Sequence, residues 1–408
     1  MKKVLCLLLS IVLVFSLSVS SFSADVVKED ENVTVESSVV SKAVEPKVNL
    51  PVEIKAKSAI LMDVSTGEVL LEYNADERLF PASVTKIMTM LLVCEAINSK
   101  KIALTDVVAC SENAASKGGS QIWLEVGETM TVDELLRATA IGSANDAATL
   151  LGEYVAGSET AFIDLMNEKA KELRMKNTTF CNATGLDDTT DENLTTARDI
   201  GIMSIELLKY DFITDYTTVW MDSLRNGKTE LVNTNRLVRF YNGTTGLKTG
   251  TTSKAGCCVS ASAKRDNMHL VAVVMGSANS SDRFETAKNM LNYGFSNYTT
   301  YLPTVDITEN VRVIGGKKDF VGLTVPHIKP ILLKKGQEEG IEVKTEVCEE
   351  AEAPISKNQK LGKVKIVLQG ETLQELDVVS DCEVEKQTVF GCFFNLIKYI
   401  SGNSSENS

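Results

Sequence analysis

Between residues 52 and 298 the chain reads strand, strand, a long helical stretch, then strand, strand, helix, and that order leaves few ways to bury its apolar side chains. Ala59 to Asp63 and Val69 to Tyr73 have strand texture around a Ser65-Thr66-Gly67 turn. Pro81 is placed to open a helix, with Ser83 in its first turn and Ile87, Met88, Leu91 and Leu92 facing a core. Thr131-Val132-Asp133-Glu134 has capping-box form and starts a helical stretch through Leu136. Glu159 to Met175 and Thr196 to Leu208 predict two more helices. After Gly250, Cys257 to Ala263 and Met268 to Met275 read as strands joined at Asp266-Asn267, and Ser281 to Tyr293 returns to helix. Strands at both ends of such a block pair best with each other. The expectation is an α+β domain: an antiparallel sheet with a helical region inserted between its first and last strands.

The flanks differ in texture. Residues 1–24 carry Lys2 and Lys3, an apolar run from Val4 to Val19, and small residues before a cleavage point near Ser23 or Ala24, which is the pattern of an export signal. Residues 25–51 lack periodicity and read as a spacer. Residues 299–385 alternate short β-rich runs with turns: Val311 to Ile314, Ile331 to Leu333, Ile341 to Val343, Lys363 to Leu368, and Leu376 to Val379. They predict a small all-β domain. In residues 386–408, a helix over Val389 to Ile400 would gather Phe390, Phe393, Phe394, Leu396, Ile397, Tyr399 and Ile400 on one wide arc. Twelve helical residues span only about 18 Å, too short to cross a bilayer. The arc suits either an in-plane membrane helix or a helix docked on the β-domain, and the expectation is the membrane surface.

A net charge of -13 argues against nucleic acid as a partner. The nine cysteines show no disulfide-framework spacing, and no Cys or His cluster has metal-ligand spacing, so no metal or cofactor is expected.

Three short motifs carry chemistry: Ser83-Val84-Thr85-Lys86, Ser143-Ala144-Asn145 and Lys248-Thr249-Gly250. On a helix, positions i and i+3 share a face, so Lys86 can reach the Ser83 hydroxyl. Serine needs a base to become a nucleophile. Lysine serves only when neutral, which burial and a second cation such as Lys248 would favour. Ser143 can relay a proton to a leaving nitrogen, and Asn145 can hold Lys86 or a substrate carbonyl. On an edge strand beside a site, Gly250 would let a ligand backbone approach, leaving Lys248 and Thr249 to face an acyl substrate and its carboxylate. With only His269 and His327 in the chain, a Ser-His-Asp arrangement has little support.

In this order and context the motifs resemble those of the low-molecular-weight penicillin-binding proteins, specifically the serine-type D-alanyl-D-alanine carboxypeptidases. Longer stretches share the likeness: Pro81 to Thr89, Thr184-Gly185-Leu186, Thr195 to Asp199, and Gly246 to Gly250. The resemblance implies a penicillin-binding/β-lactamase-like catalytic domain. It implies acylation of Ser83 by the D-Ala-D-Ala end of a peptidoglycan stem peptide, loss of D-alanine, and hydrolysis of the acyl-enzyme at the outer face of the membrane. β-Lactams would acylate the same serine. It further implies an oxyanion hole from the backbone N–H groups of Ser83 and Thr251, and a substrate-carboxylate role for Arg283. Two other readings compete. A class A β-lactamase would have Asp where Ala144 stands and a deacylating glutamate, for which Glu192 is the nearest candidate. A non-catalytic wall-binding protein could retain the fold.

Overall fold

The computed structural model describes residues 50–187 and 190–391, together with Phe393 and Ile397. The signal and nearly all of the spacer fall on residues 1–49, outside the described residues, as does most of the tail.

The chain begins with an antiparallel hairpin, β1 (Ser58–Asp63) and β2 (Val69–Tyr73). A 3-10 turn over Ala82–Thr85 leads directly into α1 (Lys86–Asn98). The insert continues with β3 (Val107–Ala109), α2 (Glu112–Ala115), β4 (Thr129–Thr131), α3 (Val132–Ala140), α4 (Asn145–Ala156), α5 (Glu159–Glu172), α6 (Ala197–Leu207) and α7 (Thr214–Thr217). A hairpin of β5 (Met221–Leu224) and β6 (Thr229–Val232) and a short α8 (Leu237–Phe240) follow. The domain closes with β7 (Thr244–Thr252), β8 (Gly256–Arg265), β9 (Met268–Ser277) and α9 (Ser280–Asn297).

The five-stranded sheet runs β2-β1-β9-β8-β7, so the first strand does lie beside the last. Side chains alternate across it, as the period of a strand requires. Ile60, Met62, Val271, Val273 and Met275 face the helical insert and share its core with α1 and α6. Ala59, Leu61, Leu270, Ala272 and Val274 face α9, against Ala287, Met290, Leu291 and Phe295. Helix α1 is buried on nearly every side, which explains an apolar run with little amphipathic period. At the start of α3 the capping box forms: Thr131 Oγ1 accepts from Glu134 N–H, and the Glu134 carboxylate accepts from Thr131 N–H at 2.9 Å. Such a cap stabilises a helix by about 1 kcal/mol.

Two expectations need correction. Ser83 is not in an α-helical first turn but in the 3-10 turn ahead of α1, entered through Ala82 at φ +48°. And Lys248-Thr249-Gly250, read as an edge-strand segment ahead of a two-strand run, lies inside a nine-residue strand, β7, so three strands close the domain. Thr244–Thr252 is hard to read as a strand because its buried positions include the polar Lys248 and Thr249, placed for a site and not for a core.

Beyond α9, β10 (Tyr298–Tyr301) starts an all-β region with β11 (Val311–Ile314), β12 (Phe320–Val321), β13 (Leu323–Thr324), β14 (Ile331–Lys334), β15 (Ile341–Val347), β16 (Glu350–Glu352), β17 (Lys360–Leu368) and β18 (Glu371–Ser380). These form β10-β14, β12-β11-β16 and β13-β18-β17-β15 sheets around two small cores, one with Val311, Val313, Ile355 and Val384, the other with Val364, Ile366 and Val378. Thr300 of β10 donates to the buried Asp63 of β1 at 2.9 Å, tying this region to the five-stranded sheet. In the tail, Val389, Phe390, Phe393 and Ile397 are helical and exposed. No helix among the described residues is long and apolar enough to cross a membrane. The seven described cysteines after the signal are free thiols.

Candidate active site

Five chain segments converge on one spot, residues 83–86, 143–145, 184, 248–251 and 283, because the insert folds back over β7. The Ala82–Thr85 turn supplies Ser83, and α1 begins with Lys86, whose Nζ lies 3.0 Å from Ser83 Oγ. Lys86 is fully buried. Its amine also donates to Asn145 Oδ1 at 2.5 Å and to the Thr184 carbonyl at 2.9 Å. Asn145 opens α4, and its own amide nitrogen donates to the Gly118 carbonyl at 2.6 Å. Just before it, Ser143 sits at φ +61° and accepts from Lys248 Nζ at 2.8 Å. Neither Ser143 nor Ala144 caps α4 with a side chain; the Ser143 hydroxyl is turned to the site instead.

Lys248 and Thr249 are buried on β7, with Thr249 Oγ1 donating to Thr234 Oγ1 at 2.7 Å. Gly250 faces the Ala82–Thr85 turn. A Cβ there would stand 2.8 Å from Ser83 N and 2.7 Å from the Pro81 carbonyl oxygen, so only glycine lets β7 approach so closely. Thr251 follows, and its hydroxyl accepts from Arg283 Nη1 at 2.9 Å. The same guanidinium donates to the carbonyls of Gly250 (3.0 Å) and Cys258 (3.2 Å). Arg283 therefore braces β7 from α9 and meets the site through the Thr251 hydroxyl. All nine residues expected from the sequence fall in this one constellation.

The electrostatics favour a neutral base. Burial first, and the Lys248 cation second, hold the Lys86 amine well below the ordinary lysine range, with Asp146 opposing them. Burial, helped by Arg283, lowers Lys248 to about 7. A neutral amine has two N–H donors and one lone pair. Asn145 Oδ1 and the Thr184 carbonyl take the two N–H groups, which leaves the lone pair aimed at the Ser83 hydroxyl.

Several participants had no signal as individual residues. Thr184 acts through its carbonyl, and Gly118 and Ser120 through theirs, accepting from the Asn145 side chain and main chain. Thr234 holds Thr249. Asn193 holds Thr85, the last residue of the Ala82–Thr85 turn, at 3.2 Å. Glu192 is exposed and makes no hydrogen bond to Ser83 or Lys86. Among the described residues no group of three His, Cys, Asp or Glu side chains could hold a metal.

Residues 41–279 match the family model of the D-alanyl-D-alanine carboxypeptidases (peptidase S11), and residues 298–386 match that of the penicillin-binding protein 5 C-terminal domain. D-alanyl-D-alanine carboxypeptidase DacF of Bacillus subtilis (strain 168) is 45% identical over 339 residues, 81% of this chain and 86% of the relative. The crystal structure of penicillin binding protein 5 from Haemophilus influenzae superimposes with a TM-score of 0.72 at 30% identity, covering 82% of this chain and 99% of that one. Penicillin-Binding Protein D2 from Listeria monocytogenes, solved in an ampicillin-bound form, aligns with a TM-score of 0.55 at 30% identity over 59% of this chain and 98% of its own. With its serine, lysines and asparagine brought together on the β7 edge, and with relatives matching across both regions, the chain belongs to the D-alanyl-D-alanine carboxypeptidase family of serine peptidases, the low-molecular-weight penicillin-binding proteins.

Proposed function

We propose that Ser83 is the nucleophile and Lys86 the base of a carboxypeptidase that removes the terminal D-Ala from peptidoglycan stem pentapeptides. The observation that carries this reading is the Lys86 amine: 3.0 Å from Ser83 Oγ, with its two other contacts supplied by fixed acceptors. The Lys86 lone pair takes the Ser83 proton as Oγ attacks the carbonyl carbon of the penultimate D-Ala. The oxyanion is held by the backbone N–H groups of Ser83 and Thr251. As the C–N bond breaks, Ser143, hydrogen-bonded to Lys248, passes a proton to the leaving nitrogen. D-alanine departs, and water then cleaves the ester by the same groups in reverse.

In this reading Lys248, Thr249 and Thr251 receive the substrate carboxylate, which their gathering beside Ser143 and Arg283 supports. Arg283 contributes through Thr251 and through the positive potential it adds behind β7. The relative solved with ampicillin supports β-lactams as acylating inhibitors at Ser83. The signal-like N-terminus supports export, and the exposed Val389, Phe390, Phe393 and Ile397 support association of the tail with the outer face of the membrane.

The test is release of D-alanine from a D-Ala-D-Ala pentapeptide, run beside labelling with a fluorescent penicillin. Wild type should do both, and Ser83→Ala should do neither. Intact covalent labelling of a folded Ser83→Ala protein would assign the nucleophile elsewhere.

A further inference from the structure

One wall of the site has no regular secondary structure. Residues 117–124 run from the end of α2 toward β4 without joining a ladder, yet Ile122 and Leu124 are buried. Backbone groups in such a segment must find partners elsewhere. Here they find two opposed charges. Asp146, 1% exposed and in the first turn of α4, accepts from Ile122 N–H at 3.2 Å and from Leu124 N–H at 3.1 Å. Its other oxygen accepts from Ala147 N–H at 2.9 Å. From the opposite side Arg225, in the β5–β6 turn, donates to the Ile122 carbonyl at 2.7 Å and the Trp123 carbonyl at 3.4 Å. Arg225 is itself fixed by Glu128 at 2.6 and 3.0 Å. The N–H of Ile122 thus meets an anion and its C=O a cation.

The clamped segment is also what orients Asn145. Gly118 O takes the Asn145 side-chain amide, and Ser120 O takes its main-chain N–H at 2.7 Å. Asp146 is the neighbour of Asn145 in the chain, so one helix start grips the wall by side chain, main chain and carboxylate together. No lysine or arginine forms an ion pair with Asp146 among the described residues, although it stands within electrostatic reach of Lys86. A buried carboxylate without a cation is costly. Backbone N–H groups and the positive end of α4 are what hold it there.

We propose that Asp146 and Arg225 are positioning residues for acylation, clamping the 117–124 wall so that Asn145 is held against Lys86. The proposal rests on the reading of Lys86 as base. Asp146 has a second consequence that a merely structural carboxylate would lack. The charged groups that bear on Lys86 are Lys248 from β7 and Asp146 from α4, with Arg283 behind Lys248 and the Arg225–Glu128 pair behind Asp146. Lys248 favours the neutral amine and Asp146 the charged one.

The experiment is the pH dependence of penicillin acylation for Asp146→Asn, Arg225→Met and Lys86→Ala, with thermal melting of each. Asp146→Asn loses an acceptor oxygen and the charge. Its acylation rate should fall about tenfold, the usual scale for a lost hydrogen bond to a charged group. Because the opposing anion is gone, the acid limb of its profile should also move to lower pH. Arg225→Met should slow acylation comparably and leave the limb where it is. Rates within about twofold of wild type in both variants, far short of that scale, overturn the clamp. If Asp146→Asn does not fold, Arg225→Met alone decides by the same criterion. In Lys86→Ala, residual acylation that kept the wild-type limb would remove Lys86 as the base. A limb that vanishes there but stays fixed in a folded Asp146→Asn protein would overturn the role of Asp146 alone.

Discussion

Gly185 lies directly beneath the nucleophile turn: a Cβ at this position would stand 1.8 Å from the Ala82 carbonyl oxygen and 2.7 Å from Thr85 Oγ1. Both partners have left-handed backbones, Gly185 at φ +85° and Ala82 at φ +48°. The contact sets the height of Ser83 above the Thr184 carbonyl that receives Lys86.

Gly185→Ala should therefore damage chemistry more than fold. The new methyl has nowhere to go but into the turn, and a misplacement of about 1 Å in a reacting group can cost about 100-fold in rate. Overpacking of this kind typically costs about 1–3 kcal/mol, which the domain can survive. The check is penicillin acylation beside a melting curve. A folded Gly185→Ala protein acylated at the wild-type rate would show that the turn has slack.

Lys86 and Lys248 should separate by pH. Lys86→Ala should slow acylation by about 10²–10⁴-fold, the range for loss of a general base. Lys248→Ala should also slow it, but with a moved profile. Acylation needs neutral Lys86, so the rate rises as pH passes the Lys86 pKa. Lys248 depresses that pKa, and its removal lets it climb, so the acid limb should shift to higher pH. In the intact free enzyme Lys248 is itself lowered to about 7, and its charge is lost above that value. KM for a peptide carboxylate should accordingly rise with pH through that region. A flat KM there would count against Lys248 as a carboxylate partner.

Truncation after Glu385 should abolish binding to liposomes and spare activity on a soluble peptide, because the site lies wholly within residues 83–283. The nearby basic residues are only Lys386 and Lys398, so binding of the full chain should depend little on salt. Equal co-sedimentation of the full-length and truncated proteins would assign the exposed Phe390 and Phe393 to a protein surface instead.

What could be read from the sequence and what could not divides along a physical line. Side chains that act as side chains were legible: the spacing of Ser83 and Lys86 puts them within reach of each other, and the order of the motifs, with the family resemblance, joined Asn145 and Lys248 to them. The capping box at Thr131 and the β1–β9 pairing followed from periodicity and local chemistry. Groups that act through their backbone were not. The carbonyls of Thr184, Gly118 and Ser120 are present on every residue, so nothing in the residue names marks them. The full extent of strand β7 stayed hidden for a related reason: its buried polar residues break the alternation by which strands are recognised. The 3-10 turn at Ser83 depends on Gly185, distant in the chain, and no local rule around Pro81 could foretell it.

Among the described residues, β7 is the outer strand of its sheet. A bare strand edge ordinarily accepts any extended chain, in either direction and at any register, which is why such edges promote aggregation. Here the Pro81–Ser83 turn packs over the face of β7 at Gly250, so a chain added along the edge lies beside Ser83. In the reading proposed above, an extended chain laid along that edge gains most when its carboxyl end falls near Thr249 and Thr251, with the bond to be cut beside Ser83. The geometry turns an indiscriminate adhesive surface into a gauge that measures where a peptide ends.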